Sequence, residues 1–153
     1  MPLQLITRTL STFLLLTMLL PGAAAAYAPP ADGGLTVEDY CLMTQSLMEL
    51  SVKEWEERAQ AAAANKGDRK KLSAALEDVT KRYRPRREEV YGRYAMTPKE
   101  DLRYASDHQS EIADYLDEHT EVRDSLDSLK ARIDALIDRV ESAAPPSTEG
   151  GQR

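Results

Sequence analysis

The sequence predicts an all-α protein, an antiparallel bundle of three or four helices, and three observations carry that prediction. Apolar residues return at helical spacing through most of the chain beyond residue 36. Helix start and stop signals separate the periodic stretches. Charged residues make up 30% of the chain against seven Tyr, one Trp and one Phe, a balance that suits thin helical cores with solvated outer faces. A β-sandwich would draw on more β-branched and aromatic residues. The predicted helices span about 37–64, 68–95, 98–119 and 120–141.

Residues 1–26 read as a secretory signal peptide. Arg8 lies near the start, an apolar run extends from Leu10 to Leu20, Pro21-Gly22 breaks it, and Ala23 to Ala26 supply A-x-A cleavage sites. The run is shorter than the roughly 20 apolar residues of a membrane span, so cleavage near Ala26 and a secreted or periplasmic product without a stable span are expected. Residues 27–35 (YAPPADGGL) form a flexible lead-in, 36–142 the bundle domain, and 143–153 (AAPPSTEGGQR) a tail disordered by composition. Cys41 is the single cysteine, which excludes an internal disulfide and leaves a small buried hydrophobe or an intermolecular bridge.

The first helix opens at Thr36, a side-chain cap, with Glu38 and Asp39 where the helix dipole favours negative charge. Val37, Tyr40, Cys41, Thr44, Leu47, Met48, Ser51, Val52, Trp55, Ala59 and Ala62 cover a broad arc, widened by Met43 and Leu50. An arc wider than about 100° implies two neighbours, which makes this the central helix. Asn65-Lys66-Gly67 suits a left-handed end. The second helix keeps Leu72, Leu76, Val79, Tyr83, Val90 and Tyr94 in one phase across Pro85, which predicts a kinked but continuous element. Thr97, Pro98 and Glu100 form a capping box for the third. From there the phase runs on to Val140, with a break expected near His119 because one helix would outreach its partners.

Charge divides by segment. Residues 66–93 carry ten Lys or Arg against five Asp or Glu, 99–141 carry six against thirteen, and the first helix two against six. A basic second helix among acidic neighbours favours packing it beside them. Arg82, Arg84, Arg86 and Arg87 are the candidate anionic-ligand residues, although their helical angles surround the axis. The net charge of −6 argues against nucleic acid as a partner.

No cofactor or metal is expected. His108 and His119 are the only histidines and lie too far apart for one ion, and neither is preceded by Glu at the position the di-iron bundles need. There is no C-x-x-C-H, nucleophile elbow or phosphate loop, so enzyme activity is not expected. Leu35-Thr36-Val37-Glu38-Asp39 resembles the L-T-x-x-Q motif of the small helical periplasmic stress chaperones related to Spy and CpxP, with Asp39 in place of Gln and no second copy. The resemblance is confined to size, export and helicity.

Function therefore reads as exported, non-enzymatic and interaction-based, with Met43, Leu47 and Leu50 as the candidate partner-binding edge. The alternative is a structural coiled-coil oligomer or spacer, joined through the heptad positions Val122, Leu126, Leu129, Ile133, Leu136 and Val140. A binder of an anionic ligand or metal is the third reading.

Overall fold

The computed structural model describes residues 34–143, and these are helical without a strand. The signal-peptide reading, nearly all of the lead-in and the tail from residue 144 lie outside the described residues.

α1 (Val37–Ala64) begins where Thr36 Oγ1 accepts the Asp39 backbone N–H at 3.1 Å. It ends at Asn65, whose backbone and side-chain N–H groups both donate to the Ala61 carbonyl. Gly67 then turns the chain at φ +87°, the left-handed region in which a Cβ is strained. α2 (Arg69–Arg93) is capped by Asp68, which accepts from Lys71 N at 3.0 Å, and continues unbroken through Pro85. It closes in a Schellman turn: Met96 N donates to Tyr91 O at 3.0 Å and Ala95 N to Gly92 O at 3.3 Å. Ala95 sits there at φ +50°, where glycine is usual.

The expectation of three or four helices needs correction, because residues 98–143 form three segments. These are α3 (Pro98–Asp107), α4 (Gln109–Glu118) and α5 (Thr120–Ala143). α3 starts on the complete Thr97–Glu100 capping box. The break at His119 is present, and a second one falls at His108. His108 has left the α region at φ −114° and ψ 22°, its ring stacked 4.2 Å from that of Tyr104. His119 repeats the device one segment later, 4.2 Å from the ring of Tyr115. In each case a histidine four residues after a tyrosine marks the bend, and α-type backbone bonds meet at His108, whose N donates to Tyr104 O and whose O accepts from Ile112 N.

α1 lies between α2 and α5, which scarcely touch each other. α2 runs opposite to α1: Leu72 packs near Ala62 at one end, and Val90 against Met43 and Tyr40 at the other. α5 runs alongside α1 in the same direction, with Arg132 paired to Glu56 and Val140 in the Ala62 cluster. Two apolar clusters result. One joins Tyr40, Met43 and Val90 to Leu47, Leu50, Tyr104 and Ile112, and the other joins Ala62, Leu72 and Val140 to Trp55, Ala59 and Leu76.

The heptad positions of α5 turn toward α1. Leu136 and Val140 are buried, and Val122, Leu126, Leu129 and Ile133 are half-buried along the same stripe. That stripe is engaged within one chain.

Met43 has no exposed surface, whereas Leu102 is 75% exposed. Met43→Ala should lower unfolding free energy by about 2–5 kcal/mol in urea titrations, while Leu102→Ala should stay within about 0.5 kcal/mol. Equal effects would mean that Met43 does not belong to the core.

Candidate interaction site

The three residues of the expected binding edge lie in the α1–α2 seam. Met43 is wholly enclosed, and Leu47 and Leu50 pack half-buried against the same cluster. They are covered by α2 because they recur at i, i+4 and i+7, the spacing of an internal seam. As the chain is folded, Met43 offers no surface to a partner.

Glu54 and Glu57 continue that stripe with carboxylates in place of apolar side chains. Glu54 is 1% exposed, and its Oε1 accepts from Arg58 at 2.6 and 3.0 Å. Arg87 of α2 brings Nη2 to 2.5 Å from Oε2, off the N–H direction, so this contact is an ion pair rather than an aligned hydrogen bond. Arg58 also donates to Thr80 Oγ1 at 2.8 Å, tying α2 in a second place. One turn on, Glu57 accepts from Arg82 at 2.6 Å and from the buried Tyr83 hydroxyl at 2.7 Å. Those two donors hold the Glu57 carboxyl below its usual range.

The four candidate arginines therefore do not converge on a ligand. Arg82 and Arg87 are paired with α1, and Arg86 lies over the Tyr83 ring at 4.9 Å. Arg84 is exposed and makes no ion pair among the described residues.

At the other end of α1, one carboxylate links three helices. Asp101 of α3 accepts the Tyr40 hydroxyl of α1 at 2.9 Å and the Tyr91 hydroxyl of α2 at 2.8 Å. Tyr104 stacks on Tyr40 at 4.7 Å and donates to the Leu35 carbonyl at 2.9 Å. Burial first, and then the bond to Asp101, pushes both Tyr40 and Tyr91 up to about 12. No sequence motif announces this clasp, since its partners stand 61 and 10 residues apart.

The histidines do separate work: His108 Nδ1 lies 2.9 Å from Glu111 Oε2, and His119 Nδ1 lies 3.7 Å from Glu121 Oε1. Among the described residues no three metal-ligating side chains gather, and no helix is long and apolar enough to cross a membrane. Cys41 is buried, which pushes its thiol pKa up and away from the reactive thiolate.

An open groove of about 880 Å³ runs between α1 and α5. Its floor is Ala59, Ala63, Ala135, Leu136 and Ala143, so the two backbones are thinly covered there. The Glu56–Arg132 pair stands on its rim with Gln60. Arg139, also on the rim, has no carboxylate partner among the described residues. The sequence signal for this surface was the Ala61–Ala64 run and the alanines of α5, which helix periodicity alone does not mark as a cleft.

The described residues are thus all-helical apart from short connections, with α1 flanked on two sides. No protein-family model matches it, and no curated protein or solved structure is found similar to it.

The tyrosine clasp has an alkaline signature. Because Tyr40 and Tyr91 are held protonated by folding, their contribution is complete below pH 10 and is lost as pH rises from 10 toward about 12. Ultraviolet titration should show both ionising near 12, and Tyr91→Phe should shrink the stability lost over that interval. Ionisation of every tyrosine near 10 would contradict the clasp.

Proposed function

We propose that this is an exported, non-enzymatic interaction protein that holds a helix of a protein partner in the groove between α1 and α5. The observation that carries the reading is the alanine floor beside an uncommitted arginine. Small side chains let a second backbone approach closely, so the fitting partner is a helix with small or apolar residues at i and i+4. A carboxylate beside that face would meet Arg139, which supplies orientation. Export rests on the features of residues 1–26.

The coiled-coil spacer is the weaker reading, because the heptad stripe of α5 packs on α1 within the chain. The anionic-ligand reading loses Arg82 and Arg87 to their pairing with Glu57 and Glu54.

Ala63 and Ala135 are exposed methyl groups on the groove, so tryptophan at both fills it with little effect on packing. The Ala63→Trp, Ala135→Trp variant should keep wild-type helicity and melting. It should lose, by tenfold or more, the partner that tagged mature wild-type protein retains from its native envelope. Equal retention by both proteins would remove the groove from the account.

A further inference from the structure

One face of α5 is left over after its heptads have turned to α1. Ser128, Ala135 and Ser142 stand at heptad spacing on that face with Ala131 between them, and all four are exposed. The Ser142 hydroxyl donates to the Asp138 carbonyl, so it is turned back onto its own helix. This face borders the α1–α5 groove, whose alanine floor is equally small. A second cleft of about 400 Å³, lined by Ala63, Lys66, Asp138, Arg139 and Ser142, continues the groove to Lys66 just beyond α1. The two ends differ in charge. Because α1 and α5 run in the same direction, the Glu56–Arg132 pair marks one end and Lys66 with Arg139 the other. Neither Lys66 nor Arg139 has a carboxylate partner among the described residues.

On the reading that the α1–α5 groove holds a partner helix, we propose that this helix is α5 of a second copy of the chain, laid antiparallel about a two-fold axis at Ala135. α5 has the properties that the groove requires: Ala131 and Ala135 are exposed at i and i+4, with the exposed carboxylates Asp127 and Asp138 beside them. Antiparallel packing about Ala135 sets Ser128 opposite Ser142, small against small. It also brings Arg139 to the height of Glu56 of the second copy, and Asp138 to the height of Arg132 of the second copy. The symmetry makes each of these contacts twice. A parallel arrangement would set Arg139 against Arg139 and Glu56 against Glu56, like charges at both ends. With alanine and serine at the contact, the two α5 axes approach to the close end of the ordinary helix spacing of about 8–10 Å, and each α5 reaches the alanines of the other copy's α1. The face from Ser128 to Ser142 is about 21 Å long at 1.5 Å per residue. A contact of that size makes a reversible dimer rather than a permanent one.

Light scattering of the mature protein across about a thousandfold range of concentration tests this. The weight-average mass should rise from that of one chain toward twice that value, and the Ala63→Trp, Ala135→Trp variant should keep the mass of one chain throughout. Arg139→Glu alone and Glu56→Lys alone should each weaken self-association by tenfold or more, because each puts like charges at both ends of the contact. Mixed in equal amounts they should recover it, since a pair made of one of each has unlike charges at both ends. Glu56→Lys breaks only an ion pair on the solvated rim, so folding survives it. A single-chain mass for wild type at every concentration, a dimer undiminished by the tryptophans, or a mixture no tighter than its components overturns the proposal. A single-chain mass combined with an envelope partner that the tryptophans abolish overturns the second copy alone and leaves the groove in place. Failure of the groove itself shows instead as equal envelope retention by both proteins.

Discussion

The structure depends on α1 being buried on two sides at once. Glu54 reaches Arg87 of α2, while Glu56, two residues along, reaches Arg132 of α5. Two residues subtend about 200° on a helix, so these neighbours stand on nearly opposite sides. An ordinary surface helix needs one apolar stripe, and α1 supplies two, which is why Met43, Cys41, Val52 and Ala62 are all buried in one element. With α2 and α5 held apart in this way, the helices make an open layer around α1 rather than a ring, and the clefts beside α1 follow from that.

How the two seams are filled differs, and the difference has energetic consequences. The α1–α5 seam is closed by alanines and by Leu136 and Val140, so it is apolar and thin. The α1–α2 seam carries a buried carboxylate with two arginines. Such a cluster adds little net stability, since desolvation opposes the ionic attraction, but any arrangement that separates its members is strongly disfavoured. The charges therefore fix register: α2 could slide by a turn and still present leucine and valine, but not with Arg82 on Glu57 and Arg87 on Glu54 together. The tyrosine clasp on Asp101 fixes the far end by the same logic, because one acceptor must meet donors from two helices.

What the sequence made legible was local. The Thr36 cap, the Thr97–Glu100 box, the Gly67 turn and the continuity through Pro85 depend on residues within a few positions of one another, and each stands where periodicity placed it. The breadth of the apolar arc correctly indicated a central helix. Legibility failed where an answer depended on residues far apart. Nothing in the chain says that the Met43–Leu50 face meets α2 rather than a partner, or that Asp101 meets Tyr40. Glu54 was missed although a local signal was there: it falls in phase with Met43 and Leu50, with Arg58 one turn away, and a carboxylate at a seam position next to a cation marks a buried pair. The bend at His108 was missed because the apolar phase runs through it, and ring stacking on Tyr104 leaves no trace in that phase.

The direction of α5 follows from the two histidine bends. After α2 returns the chain to the Thr36 end of α1, a straight helix from Pro98 would project well beyond its partners, at about 1.5 Å per residue. Bending at His108 and His119 folds the first half into α3 and α4, which cap the Tyr40 cluster, and leaves α5 free to lie beside α1. Parallel packing then turns the α5 heptads onto α1, where they bury Leu136 and Val140 against the Ala62 end. A pattern that in an isolated helix would specify a coiled coil between chains is thereby satisfied within one. The apolar period alone could not distinguish the two outcomes, and the bends decide between them.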